Sequence, residues 1–134
     1  MRATVSHFEI PARDLERAAR FYREVFGWRI EPLPWEGHPY FKIRDAGGEG
    51  IGGGLLPAGV TTDHPLLVIH LSGITLEECL ARVAAAGGAI DKAAEAVGTM
   101  GRFARFQDSE GNVLGLWEKT ETAGTAGTSG TETP

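Results

Sequence analysis

The hydrophobic positions of this chain predict two amphipathic helices. Apolar side chains recur at the i, i+3, i+4, i+7 spacing that places them on one helix face. In the first helix they are Leu15, Ala18, Ala19, Tyr22, Val25 and Phe26, and in the second Leu76, Cys79, Leu80 and Val83. Asp14 is positioned to cap the first helix, and Gly27 can adopt the left-handed turn that ends it. Residues 75–78 form a capping box before the second helix, which Gly87-Gly88 ends.

Short apolar runs bounded by turn residues predict strands around both helices. One strand precedes each helix, at 7–10 and 67–71. Three strands follow each helix, at 29–31, 40–43 and 51–56 after the first and at 89–90, 103–106 and 113–118 after the second. The order of one strand, one helix and three strands therefore occurs twice. This repetition predicts an α+β fold made of two βαβββ modules.

The repeat also sets the expected boundaries of the folded part. Module one is expected at about residues 5–57 and module two at about 65–119, together forming a single domain over 1–119. Residues 120–134 contain only Thr, Glu, Ala, Gly, Ser and Pro. Because such a segment buries too little apolar surface to offset its ordering entropy, we expect a disordered tail.

Composition and charge narrow the functional classes. The 134 residues carry a formal net charge of -5, which argues against nucleic-acid binding because that function needs a basic surface. No segment is long and apolar enough for a signal peptide or a membrane span, so we expect a cytoplasmic protein that does not bind membranes. Cys79 is the single cysteine, and its place on an apolar helix face indicates core packing.

Several segments then resemble the vicinal-oxygen-chelate superfamily, which includes glyoxalase I, extradiol dioxygenases and bleomycin-resistance proteins. These segments are residues 7–11, 14–22, 25–28, 50–55 and 106–118, and together they span nearly all of the predicted folded part. The resemblance implies that the two modules form a curled mixed sheet around a site. It does not identify the reaction, because one fold carries many chemistries.

The resemblance also implies a metal site. Members of the superfamily place ligands on the first and last strands of their modules, and the matching positions here are His7, His70 and Glu118. Two imidazoles and one carboxylate suit a divalent ion of the Fe, Mn, Co, Ni or Zn group. Glu118 is also the expected catalytic residue. Each residue alone has a simpler interpretation as an ordinary strand position, so the hypothesis depends on all three occurring together.

One difference between this sequence and glyoxalase I limits the reactions that the resemblance allows. Leu55 or Leu56 occupies the position opposite Glu118, where glyoxalase I has a second acidic ligand that also acts as the base. An apolar side chain can neither bind metal nor move a proton, so plain glyoxalase I activity is disfavoured. Three ligands would leave open positions on the ion, which suit an isomerase, a lyase or a dioxygenase equally well.

Other residues give weaker indications. Trp35, Tyr40 and Phe103 are candidates for the wall of a substrate pocket, and their alternative role is ordinary packing. The run Gly52-Gly53-Gly54 lacks the lysine and helix of a phosphate loop and indicates close backbone approach on a strand instead.

Two functions remain open. The first is a metal-dependent enzyme that acts on a small oxygen-bearing substrate. The alternative is a metal-free protein that binds or sequesters a small molecule, as a drug-resistance protein does. The trio His7, His70 and Glu118 distinguishes them, because a pure binding protein does not need it. Small relatives often form sites between subunits, so we expect a homodimer.

Overall fold

Both predicted helices are present in the computed structural model, which describes residues 1–34, 37–60 and 62–120. Helix α1 (Leu15–Phe26) begins after Asp14, whose carboxylate accepts a hydrogen bond of 3.0 Å from the backbone N–H of Arg17. Gly27 ends the helix in the left-handed conformation, with φ at 69°. Both predicted caps are therefore confirmed.

Helix α2 (Leu76–Ala85) begins with the predicted capping box. The backbone N–H of Glu78 donates to the Thr75 hydroxyl at 3.1 Å, and the Glu78 carboxylate accepts from the backbone N–H of Thr75 at 2.9 Å. Gly87, one residue past the C-cap, has a φ of 101° that glycine tolerates better than other residues. Cys79 is half-buried against the core below the helix, where burial raises the pKa of its thiol, as expected for a packing residue.

Module one contains four strands around α1. They are β1 (Arg2–Ala12), β2 (Arg29–Leu33), β3 (Tyr40–Arg44) and β4 (Gly52–Pro57). Their order in the sheet is β2-β3-β4-β1, with β1 parallel to β4 and the other pairs antiparallel. The core between the helix and this sheet consists of Ala19, Ile30, Phe41, Ile43 and Leu55.

Module two repeats this arrangement around α2. Its strands are β5 (Leu66–Ser72), β6 (Ala89–Val97), β7 (Gly101–Gln107) and β8 (Val113–Lys119). Their order is β5-β8-β7-β6, with β5 parallel to β8 and the other pairs antiparallel. Its core consists of Leu71, Leu76, Leu80, Ala104 and Leu116. The predicted βαβββ repeat is confirmed.

The chain divides into two compact units. One comprises Ser6–Leu66, and the other joins Met1–Val5 to the residues after Leu66. No helix within the described ranges is long and apolar enough to cross a membrane. The tail from 121 to 134 lies outside the described residues. Thr120 is described, and its backbone N–H donates to the Met100 carbonyl at 2.8 Å, one residue beyond the predicted end of the fold.

Candidate functional site

The sheet of module one has two faces, and only one of them packs on α1. Phe8 and Ile10 of β1 pack against the α1 core, and side chains alternate along a strand, so His7 and Glu9 lie on the opposite face. By the same alternation, Tyr40 and Lys42 of β3 lie there too. We call the surface formed by His7, Glu9, Tyr40, Lys42 and Gly54 the far face of module one.

Strand register places these residues close together. Glu9 pairs with Gly54 across β1 and β4, and Lys42 pairs with the same glycine across β4 and β3. Lys42, Gly54 and Glu9 therefore form one row across three strands. On β1, His7 lies two residues before Glu9, and on β3, Tyr40 lies two residues before Lys42. His7 and Tyr40 are therefore a second pair of side chains on the same face as this row.

A buried hydrogen bond joins the second pair. The Tyr40 hydroxyl lies 3.0 Å from Nε2 of His7, and the carboxyl oxygen Oε2 of Glu9 lies 3.9 Å from the same nitrogen. All three residues are buried, with 2%, 3% and 7% exposure for Tyr40, His7 and Glu9. Imidazole, phenol and carboxyl groups are rarely buried unless they form hydrogen bonds with other polar groups.

Burial fixes the charge of both partners in that hydrogen bond. It lowers the pKa of His7 from 6.5 to about 4, and the positive charge of Lys42 adds to the effect. Burial raises the pKa of the Tyr40 phenol, and the negative charge of Glu9 adds to that effect. At neutral pH the pair is therefore a neutral imidazole hydrogen-bonded to a protonated phenol.

Module two presents a different set of side chains on its far face. Ile69 and Leu71 pack against the α2 core, so His70 between them points to the other side of the sheet. His70 pairs in register with Trp117, and Trp117 pairs with Phe103. These three residues form a row that defines the far face of module two. Partial burial lowers the pKa of His70, and Lys119 contributes a smaller effect in the same direction.

Glu118 lies on the α2 side of that sheet. It pairs in register with Leu71, a core residue. Its Oε2 accepts a hydrogen bond of 3.1 Å from the backbone N–H of Leu76, at the first turn of α2. Its Oε1 accepts bonds of 2.8 and 2.6 Å from Nε and Nη2 of Arg102, whose guanidinium also contacts Glu77.

The structure therefore does not bring together the predicted metal ligands His70 and Glu118. They project from opposite faces of one sheet, and the carboxylate of Glu118 already neutralises an arginine and caps a helix. Glu118 is therefore engaged on the α2 side of the sheet, and its assignment as a metal ligand and catalytic residue stays a prediction. Within residues 1–34, 37–60 and 62–120, no group of three or more His, Cys, Asp or Glu side chains is arranged to hold an ion. A metal shared by His7, His70 and Glu118 stays a prediction.

The predicted pocket residues have different outcomes. Tyr40 lies in the buried cluster beside His7, so it belongs to a polar site. Phe103 is half-buried in the same row as Trp117 and His70. Trp35 lies outside the described residues.

Two residues on the far face of module one were missed by sequence reasoning: Glu9 and Lys42. Glu9 could have been found, because residues two apart on a strand share a face and His7 was already a candidate. Lys42 could have been found in the same way, because it lies two residues after the candidate Tyr40 on β3. The proximity of the two strands could not, since it depends on strand order and register. The prediction that the glycine run permits close approach is confirmed by the crowding around Gly53 and Gly54.

Comparisons with known proteins agree with this architecture. Residues 4–39 match the family model for the bleomycin resistance protein-like N-terminal region. A glyoxylase-like domain-containing protein from Didymella fabae is 56% identical over 27 residues, which are 20% of this chain and 21% of that protein. The resemblance to the vicinal-oxygen-chelate superfamily is confirmed.

Solved structures extend the fold similarity along most of the chain. Methylmalonyl-CoA epimerase from Mycobacterium tuberculosis superimposes with a TM-score of 0.62 at 16% identity, covering 90% of this chain and 93% of its own. A glyoxalase/bleomycin resistance protein/dioxygenase superfamily member from Vibrio splendidus gives a TM-score of 0.57 at 18% identity, with 89% and 98% covered. At these identities the matches establish the fold, and they confirm the predicted α+β class.

Proposed function

We propose that this protein is an enzyme of the vicinal-oxygen-chelate type that transfers a proton on a small oxygen-bearing substrate at the far face of module one. The observation that carries the proposal is the buried hydrogen bond of 3.0 Å between His7 and Tyr40, with the Glu9 carboxyl group 3.9 Å from the imidazole. Clusters of buried titratable groups with shifted pKa values are concentrated at functional sites.

The protonation states suit acid–base chemistry. When the Tyr40 hydroxyl turns from Nε2 of His7 to a substrate carbonyl oxygen, it donates its hydrogen bond to the oxygen on which charge develops. Nε2 of neutral His7 is then free to accept a proton from the neighbouring carbon. His7 then returns the proton to the substrate, so the net result is movement of a hydrogen within the substrate, which is an isomerase type of step. A methylmalonyl-CoA epimerase with the same fold is consistent with this class and suggests a first substrate to test.

Metal dependence remains a separate prediction. A divalent ion would polarise the substrate oxygen as a Lewis acid. His7 and Glu9 supply one nitrogen and one oxygen of suitable types on one face, whereas Glu118 faces α2. The proposed proton transfer is assigned to His7 and Tyr40 and involves no ion.

Deuterium incorporation tests the proposal. The purified protein is incubated in D2O with methylmalonyl-CoA and with a panel of small 2-oxo and 2-hydroxy acids, and mass spectrometry follows the gain of one mass unit. We expect exchange by the parent protein and a loss of about 100-fold or more in His7→Ala, since a general acid or base contributes roughly 10²–10⁴-fold. Tyr40→Phe should also slow exchange.

A matched control and a metal series complete the experiment. His64→Ala removes an exposed imidazole and should exchange at the parental rate. Each assay is repeated after chelation and with Fe, Mn, Co, Ni or Zn added back. If His7→Ala and Tyr40→Phe exchange as fast as the parent, the proposed site is wrong.

The alternative function is metal-free binding of a small molecule. Calorimetry on the same panel distinguishes the two functions, because a sequestering protein should bind a compound without exchanging its protons. Binding without exchange by any member of the panel would favour this alternative.

A further inference from the structure

Strand β4 contains three consecutive glycines, Gly52, Gly53 and Gly54, which the proposed chemistry does not use directly. Glycine in a strand interior reduces stability, so such a run calls for a physical reason. None of the three has a positive φ, so backbone conformation does not require them. The reason must lie in the space above the strand.

Each glycine has a different neighbour in that space. A β-carbon at Gly53 would overlap the ring of Phe8, which packs on the α1 side of the sheet. A β-carbon at Gly54 would overlap the hydroxyl group and ring of Tyr40 on the far face. At Gly52 it would come within 3.2 Å of the Ile43 carbonyl oxygen. Of the three, Gly54 is the one whose β-carbon would overlap Tyr40.

The sheet order explains why Tyr40 needs this space. Tyr40 lies on β3 and His7 on β1, and β4 runs between these two strands. The phenol ring must therefore cross β4 to bring its hydroxyl within 3.0 Å of the imidazole. It crosses at Gly54, where the lack of a side chain leaves room for the ring.

We propose that Gly54 is a positioning residue: its missing β-carbon lets the Tyr40 ring lie across β4 and form its hydrogen bond with His7. Gly54 is proposed to act on the site through Tyr40. The relevance of this geometry to catalysis rests on the function proposed above, but the geometry itself can be tested without turnover.

Gly54→Ala tests the role directly, with Gly53→Ala as a matched control. Both variants add one methyl group to the same strand, but on opposite faces of the sheet. Nuclear magnetic resonance follows the Tyr40 hydroxyl proton and the Nε2 nitrogen of His7, which report the hydrogen bond rather than overall stability. We expect Gly54→Ala to lose the hydroxyl resonance and shift the His7 nitrogen signal. Gly53→Ala should retain both signals while disturbing those of Phe8.

A double-mutant comparison keeps the proposal testable if Gly54→Ala folds poorly. In the Tyr40→Ala background the crowding is absent, so adding Gly54→Ala should leave the urea midpoint almost unchanged. In the parental background the same substitution should lower that midpoint. An equal loss in both backgrounds, or an intact Tyr40 hydroxyl resonance in Gly54→Ala, would overturn the proposal. If instead these results hold but no reaction depends on His7, the proposed function fails and the positioning role stands.

Discussion

The imidazole of His7 is 3% exposed, and this burial makes the folding of the protein depend on pH. Burial first, and then the charge of Lys42, lowers the pKa of His7 from 6.5 to about 4 in the folded state. Between these two values the unfolded chain binds a proton that the folded protein does not. The contribution of neutral His7 to the free energy of unfolding is therefore complete above pH 6.5, and it is lost as the pH falls towards 4.

Urea unfolding at a series of pH values measures this contribution. Between pH 7 and pH 4 we expect His7 to account for a loss of about 3 kcal/mol in the free energy of unfolding, because one pKa unit corresponds to about 1.4 kcal/mol. His7→Gln should have a correspondingly flatter profile. The pKa of His70 is lowered as well, so the informative quantity is the difference between the two profiles.

The exposed His64 provides the comparison for this experiment. His64→Gln should follow the parental profile over the same range. If parent and His7→Gln lose stability in parallel, His7 is not held neutral in the folded protein.

Among the elements, helix α2 is joined to β8 through Glu118, so this residue should stabilise the fold rather than bind metal. Glu118→Ala removes the acceptor for the Leu76 N–H and the contact with Arg102. Losing a helix-capping interaction of this kind reduces stability by about 1–2 kcal/mol. Thermal or urea unfolding of Glu118→Ala measures the effect.

Metal content provides the second measurement on Glu118→Ala. We expect elemental analysis to give the same metal content as in the parent, with Glu110→Ala as an exposed acidic control. A variant that retained full stability but lost bound metal would restore the role implied by the family resemblance and refute the structural one.

Helices and strands were predicted more accurately where their capping residues and apolar periodicity were clearer. Both helices were predicted to within a residue or two, because their caps and apolar faces are local signals. Strand β6 was predicted as Ala89-Ile90 but extends to Val97. Its mostly exposed Ala, Lys and Glu side chains give little apolar alternation, and register shifts interrupt its pairing with β7. Strand β1 also begins earlier than predicted, through its exposed first residues.

The candidate site was less predictable than the fold. His7 was identified, but its partner Tyr40 is 33 residues away and was assigned only to a pocket wall. The side of the sheet on which Glu118 lies depends on its register with Leu71, which no local pattern specifies. Strand order and register, rather than residue type, therefore limited the prediction of the site.

At the scale of the whole molecule, the C-terminal residues 121–134 lie outside the described structure and are expected to contribute little to stability. Their composition offers no large apolar side chain to bury. Deleting them should leave the melting temperature unchanged, as measured by calorimetry. The deletion should begin after Thr120, because the Thr120 N–H bonds to Met100. A melting temperature lowered by several degrees would show that the tail packs on the folded part.

The expected homodimer also remains a prediction at this scale. Light scattering at micromolar concentration should give twice the chain mass of 14.3 kDa. The physical reason is that an exposed edge strand presents unpaired backbone N–H and C=O groups, which a second subunit can cover. The family resemblance points the same way, because small relatives often form sites between subunits. A monomeric mass throughout that range would contradict the prediction.

The positions of Trp28 and Trp117 also have an optical consequence. Trp28 packs on the core of module one and stacks on Tyr22 with ring centroids 5.1 Å apart, whereas Trp117 is buried in module two. With Trp35 replaced by Phe, removing either remaining indole leaves a single fluorophore, which lies in one of the two modules. Emission from the two single-tryptophan proteins would then reveal whether the modules melt together or in succession, a distinction that a single melting temperature conceals.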